Sequence, residues 1–194
     1  QKGFVRGTVR EIHLPAAILW NNSPAMLDLF YYAQQKNLVV SDDTLDLLRR
    51  HVRTLKPIRN AAPDLFHSMF PMEKLVHILG HLKDPALLWQ MQETGFIGLI
   101  YPAFEALENV HTKPNPRKEF IAGEMTHRYP VGTHSLYVIH KILEALPQFA
   151  PTQELMVGIL NDPSSLFVLL NAALLHDAAK AANYSFEYSP DHSI

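Results

Sequence analysis

An all-α fold is predicted by three features of this 194-residue sequence: apolar residues recurring at three- and four-residue spacing, prolines and capping side chains just before those runs, and very little strand-like alternation. The exception comes first. Residues 4–14 combine β-branched side chains, partial alternation and a glycine, so one or two short strands are expected there. Ser23-Pro24 then puts a capping oxygen before a proline at the first helical position, with Met26, Leu27, Phe30 and Ala33 following on one apolar stripe. Ser41-Asp42-Asp43 opens a second helix through Leu45, Leu48 and Val52, and Arg49, Arg50 and Arg53 are expected near its end, where positive charge suits the macrodipole. Pro63 and Pro71 begin further short helices, the latter carrying Leu75, Ile78 and Leu79. Asp84-Pro85 begins another, with Leu88, Met91 and Gln92 on its turns. Gly95 and Gly98 weaken the run to Ile100, and Pro102 restarts a helix through Phe104.

Residues 109–117 are polar and contain Pro114 and Pro116, which a continuous helix does not tolerate, so an internal boundary is expected near residue 110. Beyond it, Gly132-Thr133 is expected to open a helix from His134 to about Leu146. Thr152 caps a second near Gln153, and Asp162-Pro163 opens a third that runs through Phe167, Leu170 and Leu174 into His176-Asp177.

Composition narrows the function. The net charge of −2 arises from 17 basic and 19 acidic side chains spread along the chain, so no field of one sign gathers phosphate backbones, and nucleic acid is not an expected partner. With no cysteine there is neither a disulfide framework nor a thiolate ligand, and a reducing, cytoplasmic location is expected. The apolar stretch over residues 166–175 is interrupted by Asn171 and is too short to cross a bilayer core of about 30 Å, so no membrane association is expected. The start carries no apolar secretory run, and a chain that opens without methionine and ends at Ser193-Ile194 is expected to be a piece of a longer protein.

The chemistry concentrates in the last third. His176 and Asp177 end an apolar helical run, and two ionisable groups in that position need a partner charge or a metal to offset their desolvation. Imidazole nitrogen and carboxylate oxygen form the mixed donor set of manganese, iron, zinc or magnesium hydrolytic centres. Adjacent residues cannot surround an ion, so His134 is expected as a ligand from another helix, and His127 and His192 as further metal or phosphate contacts. Lys180, four residues after His176, suits a phosphate oxygen as a point charge, and equally suits a helix C-terminus. Such a set can bind a phosphoester, polarise it and activate water, which predicts phosphomonoester or phosphodiester hydrolysis. The other candidates have plainer roles. His140, six positions beyond His134, faces another side of the helix. His77 and His81 suit interhelical or exposed positions, Trp89 and the Phe30-Tyr31-Tyr32 cluster suit helix packing, and the Arg49-Arg50-Arg53 group suits a solvated helix end.

His134, followed after 41 residues by His176-Asp177-Ala178-Ala179-Lys180, resembles the HD phosphohydrolase superfamily, in which an early histidine, a His-Asp pair and a later aspartate bind divalent metal. Within it, the chain is most similar to bifunctional uridylyltransferase/uridylyl-removing enzymes that modify the PII nitrogen-signalling protein. The similarity runs from His127 through Pro130 and His134 to Leu136, over residues 169–180, and through Asp191-His192-Ser193. Upstream, residues 45–51, Phe66, residues 87–98 and residues 101–104 resemble the helical region that joins that family's nucleotidyltransferase and HD domains. The chain departs from the pattern at Pro130, Gly132 and Thr133, and over residues 181–190.

The resemblance implies a helical linker or regulatory region over residues 1–110 and a partial HD domain over residues 111–194. It implies a divalent metal on His134, His176, Asp177 and His192, a metal or phosphate contact from His127, and substrate orientation by Lys180. The family's later aspartate has no counterpart on a helix before residue 194; one on a downstream helix would favour hydrolysis, and its absence would favour the competing expectation. The implied substrates are a uridylylated PII-like protein or another nucleotide or phosphoester. The competing expectation is a non-catalytic helical signalling or interaction module with an incomplete HD site.

Overall fold

The computed structural model describes residues 10–108, 130–149 and 154–179. These residues form eleven α-helices and one two-stranded sheet, so the all-α class holds. The chain runs β1 (Glu11–Ile12), α1 (Ala16–Asn21), α2 (Ala25–Lys36), β2 (Val39–Val40), α3 (Asp42–Ala61), α4 (Pro63–Met69), α5 (Met72–Gly80), α6 (Ala86–Glu93), α7 (Phe96–Ile100), α8 (Pro102–Leu107), α9 (Val131–Phe149), α10 (Glu154–Asn161) and α11 (Pro163–Leu175). No single helix among the described residues is long and apolar enough to cross a membrane, and α10 with α11 reach that apolarity only together, across a 97° bend.

The chain divides into two compact units. The first comprises the described residues up to Ile78 together with Ala86–Phe96, and the second comprises Leu79–Pro85 with the described residues from Ile97 onward. The boundary expected at residues 110–111 lies outside the described residues.

In the first unit, the helical spacing of α2 buries Met26, Leu27, Phe30 and Ala33, and that of α3 buries Leu45, Leu48 and Val52. Phe30 stacks on Phe96 with ring centroids 5.4 Å apart, Phe96 meets Phe70 edge-on at 5.9 Å, and Phe70 meets Phe66 at 4.9 Å. Each such pair adds about 0.5–1.5 kcal/mol beyond area burial. The expected N-terminal strand is present as β1, which pairs in parallel with β2 in the register Glu11 to Val39 and Ile12 to Val40. Residues 4–9 lie outside the described residues.

Several local expectations are corrected. Ser23 does not cap α2. Its hydroxyl is hydrogen-bonded to His51 Nε2 at 2.9 Å, because α3 brings that ring within reach. Helix α3 runs on through Pro57 to Ala61, so Arg49 and its neighbours lie in mid-helix rather than near the end. Pro57 is tolerated because its side of the helix faces water, which satisfies the carbonyl deprived of a donor. Arg49 is engaged by Asp46 and Glu93, which replaces the solvated-end role. The run after Gly95 is a helix, α7. Gly95 supplies the break before it with a left-handed φ of 78°, and Phe96, Ile97 and Leu99 bury its side chains.

In the second unit, α9 and α11 pack against each other, α10 contacts both, and α8 lies against both. The start of α11 is set by a close backbone approach. A Cβ at Gly80 would lie 2.4 Å from the Pro163 carbonyl oxygen. Gly80→Ala therefore forces backbone to move, and it should lower the unfolding free energy of this unit by about 1–3 kcal/mol, measurable by denaturant titration.

His51 is 3% exposed and meets the edge of the Trp20 ring at 4.6 Å. Its Nδ1 is buried with no hydrogen-bond partner among the described residues. Burial pushes its pKa below the usual 6.5. An unfolded chain then binds the extra proton more readily than the folded one. Stability should be level above pH 6.5 and fall as the pH drops through that value towards the lowered folded one, and His51→Gln should flatten this dependence. Unfolding midpoints followed by Trp20 fluorescence test this, and a wild-type midpoint that rises on acidification over the same window would contradict it.

Candidate metal centre

Helix α11 is held at its start, middle and end. At the start, the Asp162 carboxylate accepts hydrogen bonds from the Ser165 amide at 3.0 Å and the Ser164 amide at 3.3 Å, with Pro163 at the first helical position. The Ser165 hydroxyl donates to the same carboxylate at 2.6 Å, and these bonds hold the Asp162 pKa below its ordinary value. In the middle, Leu166, Leu170, Ala173 and Leu174 bury one face. Beside that face the Tyr101 hydroxyl donates to Asn171 Oδ1 at 2.7 Å. At the end, His176 follows the last helical residue in a helical conformation, with φ −55° and ψ −28°.

Helix α9 begins at Val131, earlier than the expected His134. Buried Val131 is drawn into the core, and the Pro130 carbonyl accepts the His134 amide at 3.0 Å, which closes the first turn. The helix buries Ser135, Leu136, Ile139, Leu143 and Leu146, and leaves His134 half-buried on its first turn.

Packing of α9 on α11 brings three candidate ligands together. One ligand atom from each of His134, His176 and Asp177 lies within 4.8 Å of the other two, and among the described residues no other such group of three occurs. The His134 and His176 rings meet edge to face at 5.7 Å. His176 Nδ1 lies 2.7 Å from the Ala173 carbonyl oxygen, which only accepts, so Nδ1 carries a hydrogen and, in the neutral ring, Nε2 is the nitrogen with the lone pair. That Nε2 faces Asp177 Oδ2 at 3.3 Å. The Asp177 side chain is 12% exposed and that of His176 is 38% exposed.

The donor set fits a divalent metal. A backbone carbonyl that holds the far nitrogen of an imidazole is the usual device for fixing a histidine ligand's tautomer and ring orientation. Two ligands on one ion with bonds of about 2.1 Å stand at most about 4.2 Å apart, so side-chain movements under about 1 Å close the widest pair. Two imidazoles and one carboxylate are a nitrogen and oxygen donor set that a divalent metal accepts.

The other expected site residues, His127, Lys180 and His192, lie outside the described residues. His140 is turned to another partner, as its spacing implied, with Nε2 2.9 Å from Glu144. Two features have no advance notice in the sequence: the Ala173 carbonyl that orients His176, and the Tyr101–Asn171 bond. Their one trace is Asn171 itself, a polar interruption in an apolar run.

One curated protein is distantly similar to the chain. Over 159 residues the chain is 28% identical to the bifunctional uridylyltransferase/uridylyl-removing enzyme of Nitrosococcus oceani, which covers 80% of this chain and 16% of that enzyme. The chain thus spans a small part of its relative's length. No family model and no solved structure matches it. This distant similarity to the uridylyl-removing enzyme and the His-His-Asp cluster point the same way, to an HD-phosphohydrolase-like helical fold with a group able to chelate a divalent metal.

Burial raises the Tyr101 pKa from 10.0 to about 12. A raised folded pKa gives stability that is present below the unfolded value and lost as the pH rises through the folded one. Unfolding free energy should therefore fall by on the order of 2 kcal/mol as pH passes from about 10 to about 12, and Tyr101→Phe should remove that component. Alkaline denaturant titrations of both proteins measure it.

Proposed function

We propose that this chain carries the metal-binding helices of a divalent-metal-dependent phosphohydrolase that cleaves nucleotidyl esters, such as the uridylyl group on a PII-like regulatory protein. The observation that carries the reading is the convergence of His134, His176 and Asp177, from α9 and the end of α11, within 4.8 Å. The name of the Nitrosococcus oceani relative, which includes uridylyl removal, supports the substrate class.

A divalent cation (manganese, iron, magnesium or zinc) held by these three residues would supply Lewis acidity towards a phosphoryl oxygen and towards the attacking water. The chain's own residues do the remainder. The Ala173 carbonyl keeps the hydrogen of His176 on Nδ1 and so directs the Nε2 lone pair at the site. Asp177 brings a negative charge on a largely buried carboxylate, whose desolvation favours a cation beside it. His134 supplies the second imidazole from an independent helix, so the two helices must be packed before the site exists. Lys180 is assigned a phosphate oxygen of the substrate, His192 a further metal contact, and His127 a metal or phosphate contact.

The test is metal content and phosphodiester hydrolysis of the full-length protein purified without chelator. Wild type should retain a divalent metal and hydrolyse bis-p-nitrophenyl phosphate. His176→Ala and Asp177→Ala should each lower metal affinity by more than about 10-fold and the rate by at least about 100-fold, with helix content unchanged. Hydrolysis that survives both substitutions would falsify the assignment. Metal retention without hydrolysis would favour a non-catalytic signalling module.

A further inference from the structure

Helix α3, in the first unit, presents to solvent a face whose charges are ordered along its length. Asp43, Asp46, Arg50 and Arg53 are all exposed, whereas Leu45, Leu48 and Val52 on the opposite side are buried. At 3.6 residues per turn the four charged positions fall within an arc of about 80°, so they form one stripe. The two acids occupy its N-terminal half and the two arginines its C-terminal half. Asp46 is engaged by Arg49 and its side chain is still 65% exposed. Among the described residues no side-chain hydrogen bond or ion pair engages Asp43, Arg50 or Arg53.

The order of these charges is self-complementary. Positions 43 and 53 lie equally far on either side of Leu48, as do 46 and 50, at about 7.5 Å and about 3 Å along the helix axis. An antiparallel copy of α3 centred on the same point therefore sets each acid against an arginine, whereas a parallel copy in register sets like against like. We infer that a second copy of this chain docks on this face across a two-fold axis level with Leu48, so that Asp43 faces Arg53 and Asp46 faces Arg50 of the second copy. A two-fold interface is isologous, so each of these pairs occurs twice. Apolar surface flanks the stripe: Trp20, half-exposed, meets the edge of His51 on α3, and Ile58 is exposed two turns beyond His51. Exposed ion pairs are individually weak and are screened by salt, so the dimer is weak and salt-sensitive, and the charge order sets its direction and register.

Sedimentation equilibrium of the whole chain tests this. At low salt, wild type should show a monomer–dimer equilibrium at concentrations up to about 0.5 mM, and its dissociation constant should rise at least about 10-fold between about 0.05 M and about 0.5 M salt. Arg50→Glu with Arg53→Glu makes the stripe wholly acidic, and Asp43→Arg with Asp46→Arg makes it wholly basic. Each doubly substituted chain alone should bind itself at least about 100-fold more weakly than wild type does, with helix content unchanged. Mixed in equal amounts, the two should form a mixed dimer, because every facing pair is then of opposite sign. A wild type that stays monomeric throughout at low salt overturns the inference. So does a folded acidic variant that associates like wild type, or a pair of folded variants that fail to combine. Should the basic variant unfold, wild type and the acidic variant decide the matter between them.

Discussion

Putting an imidazole and a carboxylate at the end of an apolar helix is the constraint on which the second unit is organised. Leu166, Leu170, Ala173 and Leu174 drive α11 into the core, and the same packing carries Asp177 to a position where its side chain is 12% exposed. A carboxylate with so little water requires compensation. His176 Nε2 stands 3.3 Å from it and the edge of His134 closes in from α9, a setting that a cation between them would satisfy. Three fixed points make this reproducible along one helix: the Asp162 cap with Pro163 against Gly80, the Tyr101 bond to Asn171, and the Ala173 carbonyl on His176. Each restrains a different freedom, namely the position of the helix start, its rotation, and the direction of the last ring.

Two histidines show how environment separates a structural role from a chemical one. His51 is buried against Trp20, bonded to Ser23 Oγ, and keeps one ring nitrogen without a partner among the described residues. Among the described residues no bond ties it to an acid, and burial favours its neutral form. His176 has one nitrogen fixed by a carbonyl, the other against a carboxylate, and a second imidazole beside it. Residue type is shared, and the difference lies in which nitrogen remains available and what faces it.

Legibility in the sequence followed the range of the forces involved. Helices whose cores repeat at three- and four-residue spacing, such as α2, α5 and α11, and the Asp162-Pro163 start of α11, depend on neighbours in sequence and were readable. Ser23, read as a cap, answers instead to His51, 28 residues away, and Arg49 answers to Glu93, 44 residues away. Strand β2 consists only of Val39–Val40, and a two-residue pairing leaves no periodicity to detect. The candidate ligands His134 and His176-Asp177 were visible through local chemistry and family resemblance. The carbonyl that orients His176 was not, because a main-chain acceptor leaves no mark on residue identity.

The composition of the cluster separates a reactive role from a purely structural one. A structural zinc is closed by four protein ligands, and its function is to hold elements that would otherwise part. Here α9 and α11 are already joined by Leu136, Ile139, Leu143, Leu166, Leu170 and Leu174 on their buried faces. An ion at their end adds little to that packing. The described ligand groups number three, and one of them has a side chain 38% exposed to solvent. Under the phosphohydrolase reading proposed above, a substrate phosphate or a water would reach the ion from the exposed side of His176.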